Sequence, residues 1–123
     1  MILKIILIGV GGGIGSIFRY LTSLFITKHF QSDFPIATFV VNFIGCLIIG
    51  FLLGFFAQQQ IENHNLKFLF ITGFCGGYTT FSTFAAENIN LFQSESYITA
   101  FVYIFLSVFV CIAAVWLGFI LSN

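Results

Sequence analysis

A few polar side chains interrupt a sequence that is otherwise almost entirely apolar, and they mark where chemistry is possible. Asn42 stands alone within a long apolar run, and Arg19 lies past the midpoint of an earlier one. Polar groups in hydrocarbon are costly, so those that are retained usually face a partner or a water-filled path. The Asn42 amide can donate two hydrogen bonds, although hydrogen bonding between helices is an equal alternative. Arg19 at a pore entrance would concentrate anions; the alternative is a side chain that reaches back to the membrane interface.

A second polar segment has the sequence GGYTTFSTF at positions 76–84. Two adjacent glycines followed by two β-branched threonines make a poor uninterrupted helix. Non-helical backbone at membrane depth survives only where it is buried in protein or lines a cavity. A break here would free carbonyl oxygens that coordinate cations and amides that meet anions. The alternative is a continuous helix that packs through Gly73 and Gly77, and we favour the break.

A third set of polar groups recurs at one-turn spacing near the end of the chain. Its members are Thr99, Tyr103, Ser107 and Cys111. On a helix these residues share a face and offer hydroxyl donors to a passing anion. Serine and threonine also bond back to their own helix, so the spacing leaves both interpretations open.

Other kinds of site lack their sequence signals. Cys46, Cys75 and Cys111 lie singly in apolar runs without CxxC or Cys/His spacing, which predicts neither a cysteine metal site nor disulfides. His29 and His64 fall in predicted loops. No nucleophile adjoins a base and no carboxylate pair is available, so the sequence does not predict an enzyme. The net charge of zero gives no sign of a nucleic-acid partner.

The elements that position these groups are predicted to be membrane helices. The composition is 59% hydrophobic and 7% charged with a mean hydropathy of +1.10, whereas soluble domains carry about 25% charged residues. A membrane helix needs about 20 mostly apolar residues, and four stretches qualify: 2–27, 35–57, 66–92 and 97–121. Short connections at 28–34, 58–65 and 93–96 leave no room for a soluble domain. We expect one all-α transmembrane domain over residues 1–123, whose first segment is retained and is not a signal peptide.

The basic residues give almost no orientation signal. With the N-terminus inside, Lys4 and Lys67 would be cytoplasmic, and Lys28 and Arg19 would lie toward the other side. Orientation follows the Lys and Arg bias of short loops, so this balance favours dual topology with copies paired antiparallel. The alternative is a weakly oriented protein that an insertase helps into the membrane.

Small residues at helical spacing predict close helix contacts. They are Gly9, Gly12, Gly13 and Ser16 in the first span, and Asn42, Cys46, Gly50 and Gly54 in the second. Since four helices of this size do not easily enclose a solute path, we expect a homo-oligomer.

Three of these segments together resemble the Fluc (CrcB) family of fluoride channels. The first is GGIGS at 12–16 followed by Arg19 and Tyr20, the second is TFVVNFIG at 38–45, and the third is GFCGGYTTFSTF at 73–84. Length, helix count and motif order agree across essentially the whole chain, and the third string is the most specific.

The resemblance implies a dual-topology antiparallel homodimer with two fluoride pathways. It also implies a structural sodium ion at the dimer centre, held by the backbone carbonyls of Gly76 and Thr79. Asn42 matches the family's pore asparagine, and Phe81 and Phe84 match its two pore phenylalanines. The pathway then includes Tyr103 and Ser107 from the last helix, the hydroxyls of Thr80, Ser82 and Thr83, and Arg19 at the entrance. Cys111 falls where some members have serine.

The function that the resemblance implies is passive, selective export of fluoride across a bacterial cytoplasmic (inner) membrane. Hydrogen fluoride crosses lipid and dissociates inside, and an inside-negative potential drives the anion outward with about 2.3 kcal/mol per 100 mV. The alternative is a dual-topology small multidrug transporter that exchanges protons for organic cations, but its mechanism needs a carboxylate in the first span, which has none. A non-transporting assembly subunit would explain the glycines but not the polar string.

Overall fold

The computed structural model describes all 123 residues, and every regular element is helical. Three helices are long: α1 at Ile2–His29, α2 at Ile36–Gln58 and α6 at Tyr97–Leu121. The stretch between α2 and α6 contains α3 at His64–Lys67, a π-helical segment at Phe68–Cys75, α4 at Gly76–Tyr78 and α5 at Phe81–Gln93.

The three long helices are each apolar and long enough to cross a membrane. The predicted spans 2–27, 35–57 and 97–121 match them to within two residues at each end, so these three spans are confirmed as helices. The predicted span 66–92 is instead divided among the four shorter segments, none of which is long enough to cross by itself. Only 20 residues are buried, so the outer surface is mostly apolar, as a chain surrounded by lipid requires.

The chain leaves helical geometry at Thr79 and Thr80. Thr79 has φ −80° and ψ 158°, and Thr80 has φ −147° and ψ 118°, which are both extended conformations. Threonine adopts this geometry readily because its β-branched side chain loses rotamer freedom in a helix. Helix α5 then begins at Phe81, and the Thr80 side chain caps it by accepting a hydrogen bond from the Thr83 N–H.

Helices α2 and α6 run parallel and in close contact through glycines. A Cβ added at Gly50 would collide with the backbone of Val115, and one at Gly118 with the carbonyl oxygen of Leu47. One turn further along both helices, Gly54 meets Phe119 in the same way. The predicted contact role of Gly50 and Gly54 is therefore confirmed within the chain.

Helix α1 packs on the π-helical segment through a different pair of glycines from those expected. Gly11 and Gly15 are buried and face the backbone carbonyls of Leu69 and Phe74. By contrast, a Cβ at Gly9 or Gly13 would meet nothing within 4 Å, because these positions lie on the outward face.

Two of the predicted small residues of α1 do reach the neighbouring segment. The backbone of Gly12 lies against Gly77, and the Ser16 hydroxyl donates to the Gly77 carbonyl at 3.4 Å. Gly73 also lies against Gly11. Gly73 and Gly77 therefore form a glycine packing face, and the chain has both this face and the interruption that the sequence presented as its alternative.

Candidate functional site

The interruption at Thr80 is held by the side chain of Asn42. The Asn42 Nδ2 donates to the Thr80 carbonyl at 3.1 Å, and the Thr80 N–H donates to the Asn42 Oδ1 at 2.8 Å. The amide thus satisfies both backbone groups that extended geometry leaves without helical partners. Since an amide nitrogen carries two N–H donors, one remains for another acceptor. Asn42 therefore links α2 to the Thr80 backbone by hydrogen bonds and also keeps one N–H donor free. Both roles that the sequence allowed for this residue are compatible with this geometry.

The hydroxyls that follow the interruption form a short chain around Thr80. The Thr80 Oγ1 donates to the Thr83 Oγ1 at 3.1 Å and lies 3.4 Å from the Ser82 Oγ. Thr80 is buried, whereas Ser82 and Thr83 are exposed. The three predicted hydroxyls therefore lie together at the N-terminus of α5, where the helix dipole favours negative charge.

The carbonyl oxygens of Gly76 and Thr79 have lost the partners that a continuous helix would give them. The Thr80 N–H, which would bond the Gly76 carbonyl, is bonded to Asn42. The Thr83 N–H, which would bond the Thr79 carbonyl, is bonded to the Thr80 hydroxyl. Gly76 is exposed and a Cβ there would meet nothing within 4 Å, so its backbone is open to close approach. Released carbonyls of this kind fit a hard cation such as sodium.

A cavity of about 460 Å³ collects most of the predicted residues. Seven of them line it: Asn42, Gly76, Thr79, Thr80, Phe81, Phe84 and Ser107. The rings of Phe81 and Phe84 lie 5.6 Å apart at 47°, yet Phe81 is 78% exposed and Phe84 only 9%. The Ser107 Oγ is buried without a hydrogen-bond partner, so the cavity wall carries an unused hydroxyl.

A smaller, more polar cavity of about 250 Å³ lies on the other side of Thr80. Arg19, Ser16, Ser23 and Thr83 line it, and Thr80 borders both cavities. The Arg19 side chain lines this cavity, and its Nε is buried without a hydrogen-bond partner. Arg19, the predicted entrance residue, therefore lines a cavity that adjoins the larger one at Thr80.

Tyr103 lines neither cavity but supports the larger one. It is fully buried, its ring lies 4.9 Å from that of Phe84, and its hydroxyl donates to the Glu87 carboxyl at 2.8 Å. The same carboxyl accepts from the Thr38 hydroxyl at 2.8 Å. Glu87 and Thr38 were not predicted as site residues. The available signal was that Glu87 is the only acidic residue within any predicted span.

Taken together, these groups suit a small anion that has lost its water. The spare Asn42 N–H, the unpaired Ser107 hydroxyl and the electropositive ring edges of Phe81 and Phe84 all lie at one cavity. A dry path must replace hydration with close donors, yet bind weakly enough to release the ion.

Comparison with known proteins places the chain in a family. Residues 6–119 match the model of the CrcB-like protein, Camphor Resistance (CrcB) family. A fluoride-specific ion channel FluC of Flavobacterium psychrophilum is 53% identical over 116 residues, 94% of each chain. One of Azobacteroides pseudotrichonymphae is 48% identical over 123 residues, 100% of this chain and 98% of the relative. One of Campylobacter lari is 40% identical over 121 residues, 98% of each. This chain therefore belongs to the CrcB family.

Proposed function

We propose that this chain is a passive, selective fluoride channel that exports fluoride across the cytoplasmic (inner) membrane of a bacterium. The observation that carries the proposal is the pairing of Asn42 with both backbone groups of Thr80, because it fixes an extended segment beside a cavity lined by donors and aromatic edges. Relatives named fluoride-specific ion channels over almost the whole chain support the same function. A channel of this kind is not an enzyme and needs no coupling reaction.

The proposed architecture is a single domain of four transmembrane helices over residues 1–123. The third span is the stretch from His64 to Gln93, broken at Thr79 and Thr80 at membrane depth. Its support is the Asn42 pair, since extended backbone in a bilayer needs internal partners for its polar groups.

The proposed path leads fluoride from Arg19 past Thr80 and into the larger cavity. Arg19 raises the local anion concentration at the smaller cavity. The spare Asn42 N–H and the hydroxyls of Ser82, Thr83 and Ser107 then replace water around the ion, while Phe81 and Phe84 present ring edges. The Thr80 hydroxyl lies between the two cavities and donates to that of Thr83. Tyr103 holds Phe84 in place and is itself held by Glu87.

The proposed assembly is an antiparallel homodimer in dual topology with a structural sodium ion at its centre. The released carbonyls of Gly76 and Thr79, together with those of the second copy, would hold the sodium ion. The bound sodium would then supply a fixed positive charge near the anion. The open backbone at Gly76 and the exposed ring of Phe81 support a close second copy. The balance of two basic residues toward each side supports both orientations.

Proton-coupled export of organic cations has no support in the site. Helix α1 contains no carboxylate. The carboxyl of Glu87 is occupied by the hydroxyls of Thr38 and Tyr103, so it does not stand free to exchange a proton for a cationic substrate.

Fluoride efflux from liposomes that contain the purified protein tests the proposal. Valinomycin clamps the potassium potential, a fluoride electrode records release, and chloride efflux is measured in parallel. We expect rapid fluoride release without chloride release. Folded, dimeric protein that releases no fluoride would overturn the proposal.

A further inference from the structure

The three cysteines, which are far apart in sequence, line one cavity. Cys46 lies on α2, Cys75 ends the π-helical segment and Cys111 lies on α6, and all three border the larger cavity. None of them forms a disulfide. Cys75 is almost fully buried, whereas Cys46 and Cys111 are both partly exposed.

The parallel register of α2 and α6 places Cys46 and Cys111 at the same level of the two helices. On one side of this pair, Thr38 and Tyr103 meet at the same carboxyl group. On the other side, Gly50 lies against Val115 one turn beyond each cysteine. Helical spacing therefore pairs Cys46 with Cys111 between these two levels, and both side chains border the same cavity.

We propose that Cys46 and Cys111 form a binding site for a soft, two-coordinate metal ion, of which Hg(II) is the best fit. No group of three or more His, Cys, Asp and Glu side chains gathers anywhere in the chain, so a tetrahedral zinc site is not built. Two facing thiols offer the soft ligands of a linear site.

Charge balance selects Hg(II) among the soft ions. Each thiol loses its proton to water, two S–Hg bonds replace the two Hg–Cl bonds of mercuric chloride, two chloride ions leave, and no electron is transferred. The product is a neutral bis-thiolate, whereas a monovalent ion held by two thiolates would leave a net negative charge. A neutral product needs no compensating group, whereas the anionic one would occupy the donors that the proposed path offers to fluoride.

The site adjoins the proposed ion path. Cys111 lies one turn from Ser107, and both line the cavity that also contains Phe81 and Phe84. A bound ion would therefore obstruct fluoride flux, a consequence that rests on the proposed function, while binding itself does not.

Mercury stoichiometry and thiol mapping on the purified full-length protein test the site. After mercuric chloride treatment and gel filtration, we expect one mercury per chain. Alkylation and peptide mapping should find Cys46 and Cys111 protected and Cys75 free once the chain is unfolded. Protection of Cys75 instead, or one mercury per independent thiol, would overturn the proposal without any variant.

Serine variants supply the second arm. Cys46→Ser and Cys111→Ser should each weaken mercury binding roughly 100-fold, because the second thiol binds the ion intramolecularly. Cys75→Ser is the matched control from the same cavity and should bind as the wild type does. Equal binding by Cys46→Ser and the wild type would contradict a bridged ion.

Flux inhibition separates this proposal from the proposed function. Mercuric chloride in the presence of a small competing monothiol should stop fluoride efflux in the wild type and Cys75→Ser but spare the other two variants, each measured against its own untreated rate. If mercury binds as expected while no variant releases fluoride, the channel proposal fails and the metal site stands.

Discussion

At the scale of single residues, Asn42 carries the largest structural task. It lies 38 positions from Thr80 and satisfies both backbone groups of that residue. A buried donor or acceptor left without a partner costs about 1–3 kcal/mol. The side chain therefore maintains the extended segment and keeps one N–H donor free.

Replacing Asn42 should destabilise the protein. We expect Asn42→Leu to lower the free energy of unfolding by about 2–6 kcal/mol, because the Thr80 N–H and the Thr80 carbonyl each lose their partner. Unfolding by SDS in mixed micelles measures the change. Asn90→Leu, at an exposed position of α5, is the control and should be close to neutral. Equal stabilities for the two variants would contradict a structural role of Asn42.

Phe81 should have the opposite profile, with large effects on flux and small ones on stability. Its ring is 78% exposed, so Phe81→Ile loses little packing within the chain. It does lose the ring edge, worth about 0.5–1.5 kcal/mol, and fluoride efflux should fall about two- to tenfold. Phe109→Ile, which is 68% exposed on a part of α6 that borders neither site cavity, is the control. Equal efflux from both variants would remove Phe81 from the path.

The sequence indicates which polar residues are unusual in an apolar run, but not which residues they contact. Asn42 and Arg19 stand out because polar groups in an apolar run are costly. The Thr80 partner of Asn42 and the Thr38 and Tyr103 partners of Glu87 depend on the register between helices. Register is set by side-chain packing over the whole interface, which one-dimensional spacing does not contain.

At the scale of helices, glycines set the distances that position the site. Gly50 and Gly118 bring α2 and α6 together, which places Thr38 and Tyr103 on one carboxyl. The bounds of α1, α2 and α6 were predictable because apolar runs end at polar connections. The glycines that α1 uses were only partly predictable, since Gly9 and Gly13 fit the same spacing as Gly11 and Gly15 yet face outward.

Adding a methyl group at Gly50 should separate the two helices. The new Cβ would meet the Val115 backbone, which cannot rotate away as a side chain can. Gly50→Ala should cost about 1–3 kcal/mol of stability. Gly9→Ala is the control, since its Cβ meets nothing within 4 Å, and should gain about 0.5–1 kcal/mol. A Gly50→Ala variant as stable as Gly9→Ala would contradict the close α2–α6 contact.

At the scale of the whole molecule, the near absence of an orientation signal bears on the proposed assembly. In the proposed four-span topology, two basic residues lie toward each side, so neither insertion direction is strongly preferred. Copies that insert both ways can pair antiparallel, and the two sites of such a pair would then point in opposite directions across the membrane.

Labelling a loop cysteine in intact cells tests dual topology. Ser32→Cys places a reactive thiol in the exposed connection between α1 and α2, and a membrane-impermeant maleimide labels only copies that face outward. We expect about half of the protein to react before permeabilisation and the rest after it. Gln60→Cys, at the opposite end of α2, should give the same result. Complementary all-or-none labelling of the two variants would establish a single orientation.

The reversal potential of a planar bilayer that contains the purified protein tests passive, selective fluoride conduction most directly. A tenfold fluoride gradient at equal chloride, sodium and pH should shift the reversal potential by about 59 mV, the value for a single mobile monovalent ion. A chloride gradient at equal fluoride should shift it by nothing measurable. A reversal potential that follows chloride or the proton gradient, or no current from folded dimeric protein, would contradict selective fluoride conduction.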